Sequence, residues 1–507
     1  EEGNQRILPQ VPVFSAMTAD LTEGDEAALE HWLERQRREM SHRVYDTAQW
    51  PLFDVRMAKH GGGVRLLVSL DNLVCDGRSM VMILSEWAAL ARDHATVLPP
   101  LELSFRDVVL HWEREESSPA HAASLEHWFA RLPDLPPAPS LPLQRKPEEL
   151  TPPRFARLAG TLSHDEWAAF RANAAAAGLS PNAALLSAYA ASLRSGGGGD
   201  RFSLNLTLFR RDLIHPQIDL LVGDFTSLLL VPFEAQAGED FAAAARRLQD
   251  RLVEDLEHAR VSAVRVMREA ARRGTDAQAL AIPVVFTSGV GVDNTASDGS
   301  TADWLGRFTG GITQTPQVWI DHQVVDRDGV LAFNWDHVEG LFDTEWIEGV
   351  FNAYCRMLAD LAADPGAWHA LLPAVDPVAA DALQHAAEEE PEAEPAVAVD
   401  APVDGEIADL IADLLAQELG IGAPDREASF FELGATSLTL LRLHQKLRKA
   451  IGRNFPVVAM FAHPCIQALA GHLGASAPAL AGEAGRAGSR RAAGRANAKR
   501  RRRVREL

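Results

Sequence analysis

At 507 residues and 47% apolar content, the chain exceeds the usual size of one hydrophobic core and reads as two or more ordinary globular domains, not as a disordered protein. Its net charge of −21 is unevenly spread: Arg486 to Leu507 holds ten Lys and Arg against one Glu, +9, which leaves −30 on everything before it. So acidic a body repels nucleic acid and anionic membrane, and neither is expected as a partner.

Cys75, Cys355 and Cys465 are too few and too scattered for a disulfide framework or a CxxC metal site, and no HExxH cluster occurs. A reducing, cytoplasmic setting without a structural metal is expected. The acidic start EEGNQRIL lacks a signal peptide's basic and apolar regions and runs straight into strand-like QRIL, as expected of a fragment cut inside a domain. EGDEAALEHWLERQRREM then puts Leu29, Trp32, Leu33 and Met40 on one face of an amphipathic helix. WPLFDVRMAKHGGGVRLLVSL reads as two strands joined through glycines, with Val64, Leu66, Val68 and Leu70 alternating onto one half-buried face. At the end of that run, DNLVCDGRS turns into a helix with Met80, Ile83, Leu84 and Trp87 at helical spacing, so Asp71 and Asp76 mark a strand-to-helix corner.

Residues 101–131 read as helical, and LPDLPPAPSLPLQRKP (132–147) is an extended connector, because its prolines cannot continue a helix. A second lobe follows, with a helix over 165–177, another opened by Ser180-Pro181, a glycine break, and the alternating strand RFSLNLTL. Further on come GDFTSLLL, helical material over 239–273, the short apolar strand AIPVVFTSGV, and a hairpin built from PQVWIDHQVV, an Asp328-Gly329 turn and VLAFNWD. A last helix covers 344–363. Between Asp376 and Asp404 the composition shifts to Ala, Glu and Pro around EEEPEAEP, a tether that cannot bury enough apolar area to fold. Beyond it, EIADLIADLLAQELG and FFELGATSLTLLRLHQKL belong to a compact domain of about seventy residues. The Arg-rich end reads as a disordered basic tail.

In the chloramphenicol-acetyltransferase-like superfamily the corner carries HHxxxDG. Aligned on Asp76-Gly77, that pattern puts Asp71 and Asn72 where the two His belong, so the peptide-condensation form is absent. The residues instead match DxxxxDxxS through Asp71, Asp76 and Ser79, and the chain resembles the heterocyclization domains of nonribosomal peptide synthetases. Stretches resembling LPxxPxLPL, GDFTxLxLL, PVVFTS and TQTPQVxLD followed by WD come in the same order, with Ile320 in the Leu place of the last. LGATS before a leucine-faced helix is similar to carrier-protein domains, with Ser437 as the attachment serine for 4'-phosphopantetheine. Thr436 stands where many carriers have Asp.

The resemblance implies an α/β (α+β) fold of two chloramphenicol-acetyltransferase-like lobes, the first truncated at its N-terminus, plus a small all-α four-helix carrier. The expected boundaries are 1–140 and 141–376 for the lobes, 377–404 for the linker, 405–475 for the carrier and 476–507 for the tail. It also implies that an upstream acyl thioester is condensed with a carrier-bound Cys, Ser or Thr, which is then cyclodehydrated to a thiazoline or oxazoline, as in secondary-metabolite and siderophore synthesis. An amide oxygen leaves poorly, so that step needs a nearby proton donor. Thr287 and Asp321 match the family's cyclodehydration pair: Asp321 would shuttle protons, and Thr287 would orient the intermediate. Asp71 and Asp76 complete the catalytic candidates, Asp76 as an organiser of the corner and Asp71 in condensation or architecture. Taken without the family, both Thr287 and Asp321 have an ordinary reading, as a strand-end threonine and a hairpin aspartate.

Cys75, flanked by acids, reads as a core residue, and His322 should face away from Asp321. No adenylation domain and no GxSxG elbow occur, so an adenylation domain in another module or chain is expected as a partner, beside an upstream acyl carrier and a phosphopantetheinyl transferase. Two rival readings remain, an amide-forming condensation domain that does not cyclize and an inactive domain that only docks carriers.

Overall fold

The structure is a computed structural model that describes residues 5–273, 282–291, 306–327, 329–374 and most of 405–475. The acidic tether, the basic tail, Thr436 and Asp328 lie outside the described residues. The chain divides into two compact units, Gln5–Glu394 and Pro395–Leu507, the latter joined by Glu1–Asn4.

The first unit begins with a three-stranded sheet of β1 (Met17–Leu21), β2 (Phe53–His60) and β3 (Gly63–Leu70), with β1 parallel and β3 antiparallel to β2. Helix α1 (Glu26–Met40), capped by the Asp25 carboxylate, packs Leu29, Trp32 and Leu33 on Ala58 and Leu67. Two expectations change here. QRIL is not a strand, and Ile7 is almost fully exposed; Pro9 and Pro12 remove ladder donors from that stretch. The covered face of β3 is that of Leu67, and Val64 and Val68 on the alternate face are exposed, because α1 packs on the other side.

Helix α2 (Gly77–Arg92) starts at the corner, and the stretch read as one helical region forms α3 (Phe105–Glu115) and α4 (Pro119–Arg131), which Ser118 and Pro119 separate by opening a new helix. The proline-rich connector leads to β4 (Phe155–Leu162), α5 (His164–Ala176) and α6 (Pro181–Leu193). Helix α6 is buried from Ala183 to Leu193, which its Ala-rich, uncharged sequence permits. The remaining elements are β5 (Arg201–Phe209), β6 (Thr226–Glu234), α7 (Phe241–Glu257), α8 (Ala263–Arg272), β7 (Val284–Ser288), β8 (Ile320–Arg327), β9 (Val330–Val338) and α9 (Thr344–Ala363).

Their six-stranded sheet has the order β4-β9-β8-β7-β5-β6, with β7 parallel to both β5 and β8 and the other pairs antiparallel. Period-two alternation sorts its side chains. Phe286, His322 and Trp335 point toward Tyr189 of α6 and Tyr354 of α9 in one large aromatic core. The intervening residues of the same strands form the opposite face, where the candidate site lies.

The described residues of the second unit include the helices α10 (Gly405–Leu419), α11 (Ser437–Ile451), the single-turn α12 (Ala459–Ala462) and α13 (Ile466–Ala475). Ile411, Leu415, Leu440, Leu443, Leu447 and Leu469 close its core with Phe430. Among the described residues, no helix is long and apolar enough to cross a membrane.

Candidate active site

One face of the six-stranded sheet carries a polar row. Strand register puts Thr207 of β5 beside Thr287 of β7, Thr287 beside Gln323 of β8, Asp321 beside Asp336 of β9, and Asp336 beside Arg157 of β4. The side chains follow that order. Thr287 Oγ1 lies 2.9 Å from Thr207 Oγ1 and 3.4 Å from Asp321 Oδ1. Asp321 Oδ2 accepts from the Gln323 amide at 2.7 Å and lies 3.1 Å from Thr313 Oγ1. Asp336, wholly buried, is gripped by Arg157 through two 2.6 Å bonds, and also meets the backbone N–H and the hydroxyl of Thr313 at 2.8 and 2.6 Å.

Electrostatics separates the two carboxylates. Asp336 has a bidentate guanidinium, the geometry that best holds a buried carboxylate charged. Among the described residues no cation contacts Asp321, which is partly buried. Burial, with the charge of Asp336 adding to it against the pull of the Gln323 amide, pushes its pKa up to about 6. A carboxyl that titrates near neutral pH can both give and take a proton.

Behind the sheet, His322 bonds the Asn334 carbonyl at 3.1 Å and Tyr354 Oη at 2.8 Å, and burial drives its pKa down to about 3. It faces away from Asp321, as expected, and serves as neutral packing. The structure therefore brings Thr287 and Asp321 together.

Asp71 and Asp76 belong to a separate place. The Asp71 carboxylate accepts from Leu73 N at 2.9 Å and closes the turn at the end of β3. Asp76 caps α2 through Ser79 N at 2.7 Å and forms a buried pair with Arg211 Nη2, at 3.1 and 3.2 Å. Arg211 comes from the loop after β5, lies 3.8 Å over the Phe225 ring, and also bonds Ser79 Oγ and the carbonyls of Ile218 and Leu221. Ser79 Oγ and Asp76 N both donate to the Gly223 carbonyl at 3.0 Å. Glycine is required there, since a Cβ at 223 would run into the Phe105 ring. DxxxxDxxS and GDFT, far apart in sequence, thus build one knot between the α2 corner and the loop that precedes β6. Among the described residues, no hydrogen bond or ion pair links this knot to the polar row. Cys75 is buried beside it, with its thiol pushed up to about 12 by burial first and the Asp76 charge second.

In the second unit, Ser437 is the first residue of α11, whose core side is anchored by Leu440, Leu443 and Leu447. Unpaired N–H groups and the helix dipole at such an end suit a phosphodiester. Ser437 fits the attachment of phosphopantetheine, which when bound supplies the thiol that carries a substrate as its thioester.

Thr313, Gln323, Asp336 and Arg157 were not singled out from the sequence. The hairpin itself held the signal for Asp336, because counting back from a two-residue turn at 328–329 pairs 321 with 336. Thr313 opens the TQTPQV motif that leads into β8, whereas Arg157 arrives from β4, which no local pattern connects.

A family model for the condensation domain matches residues 2–382, and one for the phosphopantetheine attachment site matches residues 409–473. Pyochelin synthetase PchF of Pseudomonas aeruginosa is 37% identical over 367 residues, 72% of this chain and 20% of that protein. Phenyloxazoline synthase MbtB of Mycobacterium tuberculosis is 35% identical over 396 residues, 76% of this chain and 27% of that protein. The chain thus spans about a fifth to a quarter of the length of these relatives. Among solved structures, the cyclization-docking bidomain of EpoB from Sorangium cellulosum superposes with a TM-score of 0.65 at 34% identity, over 72% of this chain and 73% of that one. The chain belongs to the condensation-domain family, as a heterocyclization domain of the nonribosomal peptide synthetase type followed by a phosphopantetheine carrier domain.

Proposed function

We propose that the polar row performs cyclodehydration after amide formation, with Asp321 as proton carrier and Thr287 as orienting hydroxyl. The amine of a carrier-bound Cys, Ser or Thr first displaces the thiol of an upstream acyl thioester. The side-chain sulfur or oxygen then bonds to the new amide carbon, and the C–O bond breaks. Water leaves with one proton from the side chain and one from the amide nitrogen, and a C=N bond closes the thiazoline or oxazoline. Asp321 gives its proton to the departing oxygen and recovers one from the attacking group. Thr287 hydrogen-bonds the tetrahedral centre from the neighbouring strand.

The observation that carries this reading is a carboxyl raised to about 6, with no cation against it among the described residues and 3.4 Å from a threonine hydroxyl, on the two positions the family motif names. Asp76, saturated by Arg211 and Ser79, is an organiser of the corner, and Asp71 shapes the turn beside it. In this reading the two lobes meet near residue 140 and the carrier begins near residue 405. The amino acid is activated by an adenylation domain elsewhere, a phosphopantetheinyl transferase modifies Ser437, and the setting is cytoplasmic.

The test is intact mass. With Ser437 in its phosphopantetheine form, loaded with cysteine and mixed with an acylated upstream carrier, the tethered product should be one water lighter than the simple amide. An unmodified amide would reassign the domain to condensation alone, and no acyl transfer from a loaded arm would reassign it to carrier docking. Ser437→Ala should gain no mass from the transferase.

A further inference from the structure

The two carboxylates of the polar row share one hydroxyl. Thr313 Oγ1 stands 2.6 Å from Asp336 Oδ2, 3.1 Å from Asp321 Oδ2 and 2.9 Å from the Gln323 amide nitrogen. A threonine hydroxyl has one proton to donate and two lone pairs to accept with. The Gln323 amide can only donate, so it occupies one lone pair. The hydroxyl proton goes to one carboxylate only, and three observations send it to Asp336. That contact is 0.5 Å shorter than the one to Asp321. Asp336 is ion-paired with Arg157 through two 2.6 Å bonds, and ion-paired acceptors take the short bonds. The Thr313 backbone N–H also donates to the same Oδ2, at 2.8 Å, which fixes the residue against Asp336.

What remains for Asp321 is the second lone pair of Thr313. Two acceptors facing each other at 3.1 Å repel, unless one of them carries a proton. If Thr313 were the donor, its hydroxyl would favour the Asp321 carboxylate. With its proton committed to Asp336 it favours the acid. Resting on the proposed function, we infer that Thr313 and Asp336 are positioning residues that make Asp321 the proton-bearing member of a carboxylate pair, through the chain Asp321 O–H to Thr313 O–H to Asp336, anchored by Arg157.

The other groups facing Asp321 do not supply this proton. Thr287 on β7 and Gln323 on β8 are neutral, and Tyr189 of α6 sits across the sheet with burial driving its phenol far above its ordinary range. Among the described residues, Asp336 from β9 is the charged group that faces it, with Arg157 from β4 behind. Oδ1 of Asp321 stays turned toward Thr287, on the side where the reaction is placed.

Infrared difference titration of the whole chain reads the bridge without any substrate. The wild type should show a carboxyl that loses its proton near pH 6, absent in Asp321→Asn. Thr313→Val removes the acceptor and should lower that midpoint by a unit or more, whereas Thr313→Ser should restore it. A midpoint in Thr313→Val that stays or rises overturns the inference, because removal of a donor would have that effect. Should Thr313→Val not fold, Thr313→Ala carries the same test: it also removes the acceptor while Asp336 keeps its charge, and a midpoint that stays or rises overturns the bridge. The two readings fail separately. If Asp321→Asn cyclizes at the wild-type rate while the midpoints move as described, the catalytic assignment falls and the bridge stands. If Asp321→Asn abolishes ring closure but Thr313→Val leaves the midpoint in place, the bridge falls alone.

Discussion

Asp76, buried, and Asp321, partly buried, are motif carboxylates of the same unit, and they have opposite surroundings. Asp76 accepts from Ser79 N and from Arg211 twice, with Phe225 N at 3.4 Å, so its lone pairs are spent and its charge is neutralised. Asp321 accepts one short amide bond, meets two hydroxyls at 3.1 and 3.4 Å, and has another carboxylate as its nearest charge. Saturation makes a joint, and incomplete saturation without a cation leaves a proton that can move. A motif match alone does not distinguish the two.

The largest effect expected from breaking this contrast is on ring closure. Asp321→Asn should slow cyclodehydration by roughly a hundredfold or more, the usual contribution of a positioned proton donor, while amide formation stays within a few-fold in the same reaction. Asp76→Ala should do the reverse. With Arg211 left buried and unpaired, it should lose about 3 kcal/mol of stability in denaturant unfolding followed by tryptophan fluorescence, and both chemical steps should fall together.

Stability against pH sharpens the comparison. The native pKa of Asp321, about 6, lies above the ordinary 3.8, so the folded state holds the proton more tightly and loses stability as pH climbs through that window. Asp321→Asn should therefore stabilise the domain at neutral pH, by about 2 kcal/mol, and the gain should vanish near pH 4. Thr287→Ala should cost about tenfold in ring closure, the worth of one hydrogen bond, with Thr287→Ser retaining most of the rate. The smallest effect is at Cys75, whose burial and raised thiol pKa should leave it unalkylated in the folded protein by mass spectrometry.

Thr287 and Asp321 were legible as candidates through the family motifs PVVFTS and TQTPQVxLD, since a strand-end threonine and a hairpin aspartate are ordinary by themselves, and Ser437 through LGATS before a leucine-faced helix. The cap at Ser180 and the glycine break after α6 were also local, and the structure keeps them. Lost to the sequence were the relations that depend on strand order. β4 reaches Asp336 only because it pairs with β9 at the sheet edge, and Arg211 reaches Asp76 only because the loop after β5 folds back on the first lobe. The face of β3 was misread for a similar reason: alternation gives two faces, and only the position of α1 decides which one is covered.

The most direct measurement follows amide formation and ring closure together, by intact mass, in wild type and Asp321→Asn across pH. Ring closure in the wild type should fall as pH rises through about 6, where Asp321 loses its proton, amide formation should lack that limb, and Asp321→Asn should stop at the amide at every pH. Ring closure in Asp321→Asn at the wild-type rate, with the same limb, would contradict the assignment of Asp321 as the proton carrier.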